Sequence, residues 1–460
     1  MVSALWLPSD AAPPRDEPLR PQFHFTAPAG WLNDPNGLVC VGGEWHLFYQ
    51  WRPQPEDGPD KHWGHAVSRD LLHWTDLPAA LSPDENGSVW SGSAIVDAGN
   101  VLGLRKGRTP VLAAFYTAAG GITPESAGKR FTQFLATSSD RGRTWVRHPR
   151  NPVLAHVVGE NRDPKVVFHA PTGRWIMALY LTGHTYGLFA SADLLRWEEI
   201  QRLEMPGCWE CPDFFEMPVE GEPGQRRWVF TAANGWYLVG TFDGREFRRE
   251  FGPAPQDAGP NHYAVQTFSG VPRGDGRTIQ IAWMAGGQYP GMPFTQQMGV
   301  PSELLLRRDP SGSGWRLHRT PVRELRRLRG TPIRHASVVL KEGGPPLEFR
   351  GELLDVALET ELPKGAALEL DLRGLALRLD GTERAASLAG RSAPLGPGPR
   401  TRLRVLLDRT SVEAFVDDGS STLSACFLPR PEDGSELRAV RGEARVRRLT
   451  AWPLRSVWRR

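Results

Sequence analysis

Hydrophobic and polar residues alternate in short runs along most of the chain, cut by Gly, Pro and Asp, and helical spacing is scarce. Runs of this kind predict β-strands joined by tight turns. One run keeps returning. Glu44-Trp-His-Leu-Phe-Tyr-Gln50 reappears as Pro110-Val-Leu-Ala-Ala-Phe-Tyr116, as Arg174-Trp-Ile-Met-Ala-Leu-Tyr180, as Arg227-Trp-Val-Phe-Thr231 and as Thr278-Ile-Gln-Ile-Ala-Trp283. A second element follows the first three copies: Ser68-Arg-Asp-Leu-Leu-His-Trp74, Ser138-Ser-Asp-Arg-Gly-Arg-Thr-Trp145 and Ser191-Ala-Asp-Leu-Leu-Arg-Trp197. Phe242-Asp-Gly-Arg-Glu-Phe247 is a weaker fourth copy. Five units at a spacing of roughly 50 to 70 residues, each a few strands long, predict an all-β, five-bladed propeller. A sandwich or irregular barrel is the alternative arrangement of the same strands. In a propeller, residues far apart in sequence meet where the inner strands of different blades converge.

The pattern changes near residue 325. Arg323-Glu-Leu-Arg-Arg-Leu-Arg329 reads as a short amphipathic linker turn. Beyond it the alternation is clean: Leu368, Leu370 and Leu372 share a face, Arg373-Gly374 turns the chain, and Leu375, Leu377 and Leu379 follow. Leu403-Arg-Val-Leu-Leu407 and Ser411-Val-Glu-Ala-Phe-Val416 continue it, with Asp417-Asp-Gly419 as a turn. Period-two strands with tight polar turns predict a β-sandwich. The expected organisation is an N-terminal extension over 1–19, a propeller over 20–325, a linker over 326–335 and a sandwich over 336–460.

Composition adds bounds. With 460 residues, 40% of them hydrophobic and 23% charged, the chain suits two globular domains. A net charge of +3, without a basic stripe interleaved with aromatics, gives no case for nucleic acid. Scattered arginines read as solvated surface. Cys208 and Cys211 form Cys-x-x-Cys, but no second such pair completes a zinc site, so they read as pocket or core cysteines. No metal or organic cofactor is expected. The start, Met-Val-Ser-Ala-Leu-Trp-Leu-Pro, lacks a basic region and a long apolar run, and no apolar stretch of about eighteen residues occurs. Taken as written, the expectation is a cytoplasmic protein off the membrane, or a secreted one if a leader has been lost.

Three acidic residues stand in distinctive surroundings: Asp34 in Trp31-Leu-Asn-Asp-Pro-Asn-Gly37, Asp163 in Asn161-Arg-Asp-Pro-Lys165 and Glu210 in Trp209-Glu-Cys-Pro-Asp213. Each has a bland alternative: a turn residue, a salt-bridge partner of Arg162, and a buried structural glutamate. Their company favours chemistry. Trp31, Gln50, Trp63 and Trp90-Ser91-Gly-Ser93 supply the aromatic faces and hydrogen-bonding groups of a sugar subsite. Paired carboxylates across a glycosidic oxygen cleave sugar–sugar bonds. Trp209 and Cys211 beside Glu210 predict an apolar setting that favours its protonated form, and Arg162 beside Asp163 predicts a cation holding it ionised.

These motifs resemble those of glycoside hydrolase family 32, the invertases, levanases and inulinases. The resemblance runs through Asn33-Asp-Pro-Asn-Gly37, Phe48-Tyr-Gln50, His62-Trp-Gly-His-Ala66, Ser91-Gly-Ser-Ala94, Arg162-Asp-Pro164, Glu210-Cys-Pro212, Tyr263-Ala-Val-Gln266, Trp283-Met284, Gln297-Met298 and Asp408-Arg-Thr-Ser-Val-Glu413. It implies a five-bladed propeller followed by a sandwich. It implies Asp34 as nucleophile, Glu210 as general acid and base, and Asp163 as stabiliser of the transition state. Asn33, Gln50, Trp63, Trp90, Ser91, Arg162 and Trp283 are implied contacts to a terminal fructose. The implied reaction is exo-hydrolysis of β-fructofuranosides such as sucrose, fructo-oligosaccharides, levan or inulin, with retained configuration. Fructosyl transfer by the same carboxylates, or sugar binding without catalysis, are the other functions open to such a chain. A homodimer through the sandwich is open too. Trp51-Arg52, Trp90 and Ser302 depart from the usual family pattern, which bears on the leaving-group side.

Overall fold

The computed structural model describes residues 15–309, 312, 314–431 and 434–458. Residues 1–14, most of the expected extension, lie outside them. The chain first builds five antiparallel sheets in sequence order. Blade 1 holds Gly30–Val41, Glu44–Arg52, His62–Ser68 and Trp74–Leu81, with Phe294–Thr295 added in parallel along Gly30 and Trp31. Blade 2 holds Ser88–Asp97, Val111–Ala119, Thr132–Ser138 and Val146–Arg147. Blade 3 holds Arg162–His169, Arg174–Thr182, Thr185–Ser191 and Glu198–Glu204. Blade 4 holds Asp213–Pro218, Arg226–Thr231, Trp236–Phe242 and Phe247–Pro255. Blade 5 holds Tyr263–Thr267, Thr278–Trp283, Ser302–Arg308 and Trp315–Pro321.

The repeat seen in the sequence is the second strand of every blade. Being paired on both edges and covered on both faces, it is nearly all apolar; Val111–Ala119 is buried at every position. The Ser-x-Asp element is the turn between third and fourth strands. Asp70 accepts the backbone N–H groups of Leu72 and His73, and Asp193 those of Leu195 and Arg196. Asp243 of the weaker copy does the same for Arg245 and Glu246. The residue after each Asp takes a left-handed conformation (Leu71, Arg141, Leu194 and Gly244). An aspartate that closes its own turn explains why this position repeats.

The first strands of consecutive blades contact each other in a closed ring. Blade 5 meets blade 1 through backbone hydrogen bonds from Cys40 to Ser269 and from Ser269 to Leu38, both 2.9 Å. Polar side chains stitch the axis below the mouth. Gln266 takes the Leu38 N–H and donates to the Gly92 carbonyl, joining three blades. The buried Lys165 ammonium lies 3.0 Å from Asp213 and donates to the Thr267 carbonyl, joining the inner strands of blades 3, 4 and 5.

Two six-stranded antiparallel sheets follow and pack face to face. The first strand begins at Ile333. Leu368, Leu370 and Leu372 pair with Leu379, Leu377 and Leu375, and left-handed Arg373 and Gly374 make the turn between them. The linker is a 3-10 helix, Arg323–Leu328, whose Leu325 and Leu328 sit in a core shared with Phe23, Phe25, Leu406 and Phe415.

A buried charged chain fastens this sandwich to the propeller. Asp408 accepts the backbone N–H groups of Gln22 and Phe23 and contacts His24 Nδ1 at 2.8 Å. The other ring nitrogen of His24 meets Glu413 at 3.0 Å, Arg319 reaches Glu413 at 3.0 Å, and Arg319 also pairs with Asp257. Burial alone would depress His24, but hydrogen bonds to Asp408 and Glu413 overcome it and raise its pKa to about 9. Arg319, which composition would place on the surface, is 2% exposed.

His24→Gln is therefore expected to destabilise the protein at neutral pH by on the order of 3 kcal/mol, because it removes the buried cation that two buried carboxylates share. The folded-state pKa lies above the unfolded one, so this stabilisation is full below about pH 6.5 and lost as pH rises through about 9. Thermal melts from pH 6 to 10 should show that decline in the wild type and a flatter profile in the variant; parallel profiles would contradict it.

Candidate active site

The inner strands of blades 1, 2, 3 and 5 and the segment leading into blade 4 contribute to one mouth. A cavity of about 440 Å³, a size typical of small-ligand sites, is lined by Trp31, Asn33, Asp34, Gln50, Asp57, Gly58, Lys61, Trp90, Ser91, Arg162, Asp163, Glu210, Tyr263 and Trp283. Asp34 comes from blade 1, Trp90 and Ser91 from blade 2, and Arg162 and Asp163 from blade 3. Glu210 lies just before blade 4, and Tyr263 opens blade 5.

Local irregularity aims these side chains. The strand register slips between Leu32 and Pro35, where Asn33 and Asp34 sit. It slips again between Trp90 and Gly92 around Ser91, opposite Asp163 between Ala178 and Tyr180, and just beyond Tyr263. Bulges re-aim side chains that a regular pleat would send to alternate faces. Asp163, Glu210, Cys211 and Ala264 also adopt positive φ, at 65°, 42°, 41° and 49°. Such backbone costs energy unless its surroundings hold it, and it gathers at working sites. Gly37 completes the blade 1 motif: at φ +55° a Cβ there would come within 2.6 Å of the Phe48 ring.

The carboxylates differ in setting. Asp34 accepts Ser91 Oγ at 2.6 Å and the Cys211 thiol at 3.4 Å. Burial and the nearby Glu210 charge raise its pKa, while Ser91, Asn33 and Cys211 pull it back. Burial pushes the Asp163 carboxyl up to about 7; Arg162 opposes this and Glu210 and Asp34 add to it. Asp163 accepts the Cys211 N–H at 2.9 Å, and its own N–H is held by Thr117. Glu210 accepts Arg162 at 2.9 Å on one oxygen and the Tyr263 hydroxyl on the other. Cys211 is a thiol whose pKa burial pushes well above its usual value, so it serves Asp34 as a donor.

Asn33, Gln50, Trp90, Ser91, Arg162 and Trp283 line the cavity as expected. Trp63 does not. It is fully buried between Phe48 and Tyr116, and its indole N–H donates to the Trp90 carbonyl. It supports the wall rather than facing the mouth, because blade 2 packs over it. Glu210 also departs from expectation. Trp209 turns outward, 43% exposed, and the carboxylate meets a guanidinium and a phenol instead of an apolar lining. Arg162 hydrogen-bonds Glu210 and the Glu160 carbonyl, and stands 3.7 Å from Asp163. Lys61 and Asp57 carry no sequence signal, since a blade 1 loop of ordinary composition delivers them. Among the described residues, no group of three or more His, Cys, Asp or Glu is placed to hold a metal ion.

Acids from separate blades, indole faces and a sugar-sized cavity define the class as a carbohydrate-cleaving propeller enzyme, a glycoside hydrolase. The profile of the glycosyl hydrolases family 32 N-terminal domain matches residues 24–321, and that of the family's C-terminal domain matches residues 380–453. A levanase of Bacillus subtilis (strain 168) is 35% identical, over 96% of this chain and 71% of its own length. A levanase of Bacillus sp. (strain L7) is 34% identical, and the match covers 96% of this chain and 53% of that one. The crystal structure of exo-inulinase from Aspergillus awamori superposes with a TM-score of 0.87 at 27% identity, over 96% of this chain and 100% of that one. The chain belongs to glycosyl hydrolase family 32.

The Asp163 carboxyl costs stability when ionised, since its folded pKa exceeds the unfolded value near 4. That contribution is favourable below about pH 4 and lost as pH rises through about 7. Asp163→Asn tolerates the left-handed backbone and carries no charge. Its melting temperature should exceed that of the wild type near pH 8, with the gap closing toward pH 4, while activity falls. A lower melting temperature at both pH values would show that the ionised carboxylate stabilises the site.

Proposed function

We propose that this exo-acting β-fructofuranosidase works by double displacement, with Asp34 as nucleophile and Glu210 as acid and then base. The observation that carries the reading is that both carboxyls line one cavity and the Glu210 charge acts on Asp34. Asp34 attacks C2 of a terminal β-fructofuranosyl unit as Glu210 gives its proton to the leaving oxygen. Glu210 then takes a proton from water, which attacks C2 and releases fructose and Asp34. Asp163, fixed by the Cys211 N–H, holds adjacent sugar hydroxyls. Arg162 steadies Glu210 between turnovers and Tyr263 fixes its orientation. Trp31, Trp90 and Trp283 cover the apolar faces of the sugar. The substrates are sucrose, fructo-oligosaccharides, levan or inulin. The resemblance to the two levanases supports a β-fructan chain among them.

The test is the products and initial rates with sucrose, 1-kestose, inulin and levan. Free fructose should be the fructosyl product throughout, and the rate order identifies the preferred substrate. Asp34→Ala and Glu210→Gln should each lose about a hundredfold or more in kcat. Longer fructans formed at high sucrose would make the enzyme a transferase. Full activity in either variant would remove that residue from the mechanism.

A further inference from the structure

Lys61 stands outside the family motifs that surround it, yet it lines the same cavity as Asp34. It ends the loop before the third strand of blade 1, next to His62, and is 9% exposed. Its ammonium donates to Asn33 Oδ1 at 3.2 Å and pairs with Asp57. It also lies 5.2 Å from the centre of the Trp31 ring. A fully charged amine at this depth is costly unless its neighbours repay it. Burial lowers the Lys61 pKa; Asp57 foremost, and then the Asp34 charge, oppose that and favour the ammonium. Arg52 opposes it, but is itself paired with Asp60.

The chemistry around Asp34 calls for such a cation. Glu210 and Asp163 both place negative charge on it, and burial adds to their effect. Arg162 is committed to Glu210 on the far side. The Asn33 amide, which Lys61 holds, is one of the groups that favour an ionised Asp34. We propose that Lys61 is a positioning residue of this site: it steadies Asn33 and supplies the positive charge on the nucleophile's side of the cavity, and Asp57 fixes it there. This rests on Asp34 being the nucleophile. A tetrahedral ammonium that spends two N–H groups on Asn33 and Asp57 keeps a third for a hydroxyl of the bound sugar.

The experiment is the pH dependence of kcat/KM on sucrose and 1-kestose. The acid limb reports the free enzyme's essential carboxylates. Lys61→Met should move it upward by about one pH unit. Lys61→Arg keeps the charge and should leave it near its wild-type position. Asp57→Asn releases the ammonium from its anchor and should also move the limb up, by less than Lys61→Met does. A uniform loss of kcat/KM in Lys61→Met with the limb unmoved would overturn the proposal. So would a limb lowered or unmoved in Asp57→Asn, which keeps the idea testable if the methionine variant does not fold. Asp34→Asn run alongside separates the two claims. If it stays active, the nucleophile assignment fails; if it is inactive and the limb still does not move, only the role of Lys61 falls.

Discussion

Arg162 is the contact on which the mouth of the propeller depends. It stands between Glu210 and Asp163, and its guanidinium lies 4.6 Å from the Tyr180 ring centre. Without a cation there, acids from three directions would share a low-dielectric funnel and repel one another. Burial works against the Arg162 charge, and the Asp163 and Glu210 carboxylates overcome it and hold the guanidinium protonated in return. The arrangement is therefore cooperative: the acids can converge because the arginine is present, and the arginine can lose water because the acids are present.

That convergence asks much of the backbone. An inner strand with regular pleating cannot aim consecutive side chains into a mouth. Register slips at Asn33-Asp34 and Ser91 and left-handed conformations at Asp163 and Glu210 do so. The scaffold that holds them in place is built from polar stitches as much as from apolar packing. Gln266, Lys165 and Asp213 bind neighbouring inner strands, and the His24–Glu413–Arg319 chain presses the sandwich against the propeller. The sandwich thereby buttresses the propeller from the side of blades 4 and 5 and the segment that leads into blade 1.

Much of this is legible in the residues. The second strand of each blade shows as a repeat because burial on both faces leaves it few choices. The Ser-x-Asp turn shows because one side chain must close the same loop each time. The paired leucines at 368–379 show because a period of two admits one register. What is hidden depends on which neighbours the fold supplies. Trp63 has the look of a sugar contact, and only the packing of blade 2 over it makes it a wall support. Arg162 is adjacent to Asp163 in sequence, yet hydrogen-bonds Glu210, 48 residues away. Arg319 and Glu413 look like surface charges until the two domains close over them. Lys61 and Asp57 sit on a loop with no pattern to mark it.

The central claim is that Asp34 attacks C2 directly, which requires two inversions and net retention. The most direct measurement is the anomeric form of the first fructose released, followed by rapid NMR during sucrose cleavage before mutarotation mixes the anomers. The account predicts β-fructofuranose as the initial signal, decaying afterwards to the equilibrium mixture. Initial appearance of the α-anomer would mean a single displacement by water, and Asp34 could not be the nucleophile.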